Sequence, residues 1–219
     1  MAKTALKRYR ALRALRNTHN LACMGLLCRK TMLDTGRAIG LVRGGIFALE
    51  SEDELTMVYD LCIHAARPGR SRAIDRYAHA ASFAPSSQEA LTLAAMQRAR
   101  FSIWKAIDYY PDGGLVLGDM LRGGEVWFMD EAMTVTCPLG LQFAARLFLP
   151  EDFAMSTGVL VPFDENLANE LEEGLPPVVH ALGPAAAAGD YRFAQAVYRA
   201  AVATNAMARV AFTDTPMAA

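Results

Sequence analysis

The chain has 219 residues, with 22 Lys and Arg against 23 Asp and Glu, a formal net charge of −1 and 53% hydrophobic residues. That composition excludes a disordered chain, which needs low hydrophobicity and high net charge. Only 4 Cys, 16 Gly and 10 Pro exclude disulfide-scaffold and collagen-like classes, and the charge balance excludes a uniformly basic nucleic-acid binder.

Charge is unevenly spread. Residues 1–45 hold ten basic side chains (Lys3, Lys7, Arg8, Arg10, Arg13, Arg16, Arg29, Lys30, Arg37 and Arg43) and one acid, Asp34. Residues 1–16 are rich in helix formers and lack Gly and Pro, which predicts a helix. On a helical wheel its bases and its leucines both spread around the circumference, so no clean amphipathic face is expected. A second helix or a continuation extends to Met32, and Gly36, Gly40 and Gly44-Gly45 mark breaks. The apolar run at 21–28 loosely imitates a secretory leader. No small-residue cleavage site follows it and Arg29-Lys30 does, so a cytoplasmic protein is expected. No apolar run approaches the ~18 residues of a membrane span.

Ser51-Glu52-Asp53-Glu54 reads as a capping box ahead of a helix ending near Arg67-Pro68-Gly69. A short helix is predicted over 71–81, and Ser86 with Glu89 predicts a second capping box opening a helix to about Arg100. The apolar period then falls toward two. Strands are predicted from Phe101, Leu115, Glu125, Phe143 and Phe153, punctuated by Pro111-Asp112-Gly113-Gly114, Arg122-Gly123-Gly124 and Pro150-Glu151-Asp152. Ten of the 19 aromatic residues lie in 101–163, as a compact β unit requires. Helix returns after Phe163, with Asp164 as N-cap and Gly174 and Pro176 as the stop. A bland connector around Gly183-Pro184 and Ala185 to Ala188 precedes a last helix, capped by Asp190 and running to about Arg209. Residues 213–219 are expected to fray.

The expected fold is α+β: N-terminal helices, a five-stranded antiparallel meander or small barrel, and C-terminal helices. The expected division is 1–100 (basic, then acidic, helical), 101–163 (β unit) and 164–212 (helices packing on the N-terminal ones).

Three stretches of the β unit carry a resemblance. Leu115-Val116-Leu117-Gly118-Asp119-Met120-Leu121-Arg122-Gly123-Gly124-Glu125 resembles the start of a β segment of uncharacterised bacterial proteins. Arg146-Leu147-Phe148-Leu149-Pro150 and Met155-Ser156-Thr157-Gly158 resemble its end. In those proteins the segment often accompanies a Cys-rich zinc motif of the SEC-C type. Here Cys137 is the only cysteine after Cys62, so the motif is absent and no functional residue is carried over.

Phosphate-loop, dinucleotide-binding, HExxH and GxSxG patterns are absent, and no catalytic set is assigned. Cys62 or Cys137 with His64, His79 or His180, and Asp119, Asp130 and Glu131 at strand ends, are the residues from which acid–base or nucleophilic chemistry would have to be built. Glu125 and Asp130 are expected to be surface carboxylates. His19 and Cys23, four apart on one helical face, and Cys28 are the metal candidates. Buried thiols beside a surface imidazole is the preferred reading, so no metal or cofactor is expected. Lys7, Arg8, Arg10, Arg13 and Arg16 are the candidate phosphate contacts of a nucleic-acid-binding arm. Against that, 101–163 holds only Lys105, Arg122 and Arg146 among its bases and eight acids. The leading expectation is a non-catalytic interaction or regulatory protein that binds a protein partner or itself, with no membrane role. Nucleic-acid association is the alternative, and an unidentified enzyme the third class.

Overall fold

A computed structural model describes residues 2–67 and 69–209, so the predicted tail and Pro68 lie outside the described residues. The chain opens with helix α1, Ala2–Met24, followed after a turn by α2, Arg29–Ala38. The helix does carry a buried stripe: Ala5, Tyr9, Leu12, Arg16, His19 and Cys23. These follow alternating four- and three-residue steps, which is one face of an α-helix. Two of the six are polar, which is why hydropathy alone showed no face.

Gly36 was expected to break the chain, yet it sits buried inside α2. A Cβ there would stand 2.5 Å from the Phe47 ring, so the small residue admits a hairpin that the sequence did not reveal. Its strands are β1, Val42–Arg43, and β2, Ile46–Phe47, joined by Gly44-Gly45.

Helix α3, Glu52–His64, begins at the expected capping box and stops short of the predicted end. Helix α4 is Ala73–Ala80. Helix α5, Gln88–Gln97, is capped by Ser87, which accepts from the Ala90 amide, one residue beyond the predicted Ser86.

The sheet comprises β3, Arg100–Tyr109; β4, Leu115–Asp119; β5, Glu125–Phe128; β6, Gln142–Phe148; and β7, Met155–Pro162. All neighbours are antiparallel, in the order β5-β4-β3-β6-β7. This corrects both the simple meander and the barrel. The longest strand, β3, has Phe101, Ser102, Ile103 and Trp104 all buried, so both its faces are covered and it takes a partner on each edge. Helix α6, Glu131–Thr136, carries the chain from edge strand β5 back to β6. Among the described residues there is no closing ladder, only a parallel bridge between Phe128 and Ala154, just ahead of β7. At the β3–β4 turn, Gly114 has φ +91 and its missing Cβ would lie 2.3 Å from the Phe128 carbonyl oxygen. Only glycine fits there.

Side chains of β3 alternate between two cores. Phe101 and Ile103 pack with α3 and the C-terminal helices, while Trp104 and Ala106 pack with β4, β6 and α6. Those C-terminal helices are α7, Glu165–Gly174; two single turns, α8, Pro177–His180, and α9, Pro184–Ala187; and α10, Tyr191–Ala203. Asp164 and Asp190 cap α7 and α10 as the sequence predicts. The bland connector holds a helical turn instead, because Pro184 pre-sets φ at its first position. Tyr198 and Val197 of α10 bury against the α3 side of the sheet. A third core lies under α1, where Tyr9 and Leu12 meet Ile63, Met96, Phe153 and Met155.

Candidate functional site

The cations of α1 have partners in their own chain. Arg8 donates to Glu151 and Asp152 in the β6–β7 turn, and Arg10 donates to Glu131 at the start of α6. Both pairs are substantially exposed. Between them the Tyr9 hydroxyl donates to Asp130 at 3.1 Å; burial and the neighbouring carboxylate push that phenol up to about 12. Asp130 also caps α6 through the Ala132 and Met133 amides, so it is an occupied cap where a free surface carboxylate was expected. Arg16 is buried and donates to the Ser156 carbonyl at 3.0 Å, while Asn20 donates to the Thr157 carbonyl at 2.9 Å. Lys7 and Arg13 are exposed. The four arginines therefore do not share one exposed face.

His19 is buried, with its Nε2 3.0 Å from the Glu89 carbonyl oxygen and its Nδ1 3.3 Å from the Tyr77 hydroxyl. Cys23 is buried one turn on, where burial pushes its thiol up to about 12. Cys28 is exposed beyond the helix end. Among the described residues, no three His, Cys, Asp or Glu side chains are disposed to hold a metal ion. Asp119 is occupied too, accepting from Ser102 and from the Leu121 and Arg122 amides.

The centre of the molecule holds an ionic cluster that sequence reasoning missed. Asp60 of α3 accepts from Arg146 Nε of β6 at 3.2 Å to both carboxylate oxygens. Thr157 of β7 donates at 2.8 Å and Tyr198 of α10 at 3.0 Å. Burial opposes the charge of Asp60, but the guanidinium and the two hydroxyl donors more than offset it and hold its carboxyl below the ordinary range. Burial and that same carboxylate keep the Tyr198 phenol well above its ordinary value, so Tyr198 is the donor. One acid thus ties two helices to two strands. The available signal was a lone charge inside each of two apolar runs, Met57 to Ile63 and Phe143 to Phe148.

Beside this cluster opens a cleft of about 580 Å³. Its walls are residues 64–67, Gly69, Arg70, Arg72, the start of β3 and the N-terminus of α10. Six arginines line it (Arg67, Arg70, Arg72, Arg100, Arg122 and Arg146) against two acids, Asp75 and Asp190. Both acids are committed: Asp75 to Arg72 at 2.7 Å and Asp190 to Arg192 at 2.6 Å. Arg122 donates to the Phe101 carbonyl at 2.9 Å, and the Arg146 guanidinium lies over the Phe101 ring. His64, one turn beyond Asp60, is 4% exposed and also lines the cleft. Neither of its ring nitrogens has a hydrogen-bond partner among the described residues. Burial depresses this imidazole to about 3, with Arg146 and Arg72 opposing the help of Asp60, so it is neutral at pH 7. A second cavity of about 600 Å³ adjoins along Ala65, Ala66, Arg67, Arg70 and Tyr191 and reaches Cys62. The Cys62 thiol is pushed up by burial and donates to Thr35.

Fold and site define an α+β protein with a buried Asp–Arg centre beside a cationic cleft. The chain belongs to a family of unknown function, DUF7986, whose model matches residues 3–199. No curated protein and no solved structure matches it. The family match adds no support to the resemblance with proteins that carry SEC-C motifs. Among the described residues, no helix is long and apolar enough to cross a membrane.

Proposed function

We propose that this chain is a non-catalytic interaction or regulatory protein of the cytoplasm, acting with a protein partner or a second copy of itself. In this reading the basic N-terminal helix serves its own fold. The observation that carries it is the pairing of Arg8 with Glu151 and Asp152 and of Arg10 with Glu131, together with the burial of Arg16. Cations neutralised within the chain release few counterions from a polyanion. Four unpaired cysteines support a reducing compartment. The working division of the chain stays 1–100, 101–163 and 164–212, with Asp60 as the link between the three parts.

Heparin chromatography of the intact chain beside a Lys7→Gln/Arg10→Gln/Arg13→Gln variant tests this directly. Both are expected to elute at the same salt concentration. A clear fall in the variant's elution point would mean that α1 engages polyanions, and nucleic-acid association would then lead.

A further inference from the structure

The geometry points to a binding site, in the arginine-lined cleft, for a small phosphorylated molecule. Arg146 and Arg122 stand on the inner side and the exposed Arg67, Arg70 and Arg100 on the outer side, with His64 in the wall. This does not depend on what α1 binds.

Three independent observations carry it. First, the cations outnumber their counter-charges. Asp75 pairs with Arg72, Asp190 with Arg192, Asp119 with Arg122 and Asp60 with Arg146, and among the described residues Arg67, Arg70 and Arg100 have no ion-pair partner. Clustered like charges repel, and an anion between them removes that penalty. Secondly, buried polar groups carry hydrogen bonds almost without exception, yet among the described residues both nitrogens of His64 lack one. Arg146 is 7% exposed and bonds Asp60 through Nε; its terminal amino groups are not sealed from solvent and make no hydrogen bond among the described residues. A neutral imidazole offers one N–H donor and one acceptor, and a phosphomonoester oxygen or hydroxyl satisfies either. Thirdly, a cleft of about 580 Å³ has the size of small-molecule sites.

The ligand class follows from the donor set. A single carboxylate satisfies one guanidinium fork, whereas a phosphoryl group presents three acceptor oxygens and up to two charges to several forks at once. The depth of the site selects a small molecule. Arg146 and His64 are both more than nine-tenths buried, which disfavours a polynucleotide backbone lying on the surface.

Isothermal titration calorimetry of the intact chain with inorganic pyrophosphate, inorganic phosphate and acetate tests the proposal. Saturable binding is expected for pyrophosphate, weaker binding for phosphate and none for acetate. Arg67→Gln/Arg70→Gln changes exposed side chains, and circular dichroism reports whether it folds. It should weaken pyrophosphate by about tenfold or more. Arg10→Gln/Arg13→Gln removes the same charge elsewhere and should leave the affinity unchanged. The His64 ring resonances should shift on saturation. Absence of saturable heat with either phosphate would overturn the site, as would equal losses in the two double variants. Equal binding of acetate would overturn the phosphoryl class. A single-stranded oligonucleotide that displaces pyrophosphate at lower concentration would overturn the small-molecule reading.

Discussion

Helix α1 carries six of the chain's bases within its first sixteen residues, and two of them form exposed pairs with acids of the β6–β7 turn and α6. The centre of the molecule holds one acid and one arginine, each almost fully buried. The first region dominates the composition and the second is invisible in it. Energetics run the other way. An exposed pair is screened by water and salt and stabilises little, whereas a buried pair cannot lose one member without stranding the other in a medium of low dielectric. Charge density locates charge; burial decides what it does.

The comparison breaks first at the centre. Arg146→Gln removes the cation facing Asp60, and urea unfolding should show a loss of about 3–5 kcal/mol. A loss near zero would mean that Asp60 is rehydrated or protonated at little cost. Tyr198→Phe keeps the ring and deletes one donor to the same carboxylate; about 1–3 kcal/mol is expected from the same melts. Asp130 belongs to the α1 side but caps α6 and accepts from Tyr9. Asp130→Ala should therefore cost about 1–2 kcal/mol, well above what a free surface carboxylate would.

Acid sharpens the contrast. His64 is depressed to about 3 in the fold, so between its unfolded value near 6.5 and 3 the unfolded chain binds a proton that the folded chain refuses. Stability should fall with pH across that window by up to about 1.4 kcal/mol per unit, and His64→Gln should flatten the slope. His19, depressed in the same direction by burial, adds to the loss, and Asp60 adds its own share only at lower pH, below its ordinary unfolded value. A melt series that is flat from pH 7 to 4 would mean His64 is not held neutral.

Local signals carried much of the fold. The Ser51 capping box, the Asp164 and Asp190 caps and the glycine turns were legible because each is a contact between near neighbours in sequence. The order of the sheet was not, because pairing Trp104 with Phe143 spans an intervening hairpin and α6. The α1 stripe was hidden by Arg16 and His19, which are buried yet polar; each meets a backbone acceptor or partner that only the folded chain supplies. Little of the site was legible. His64 was named only as a possible base, and its isolation beside Arg146 depends on α3, β6 and α10 meeting. The cleft arginines lie between residues 67 and 146, outside the basic segment of residues 1–45.

The centre, not the basic helix, holds the helical layer to the sheet. Urea unfolding of Asp60→Asn beside Arg8→Gln/Arg10→Gln addresses that most directly. A large drop in midpoint for Asp60→Asn, with the arginine pair variant close to the parent, is the expected result. An Asp60→Asn midpoint close to the parent, or a larger drop in the arginine variant, would contradict it.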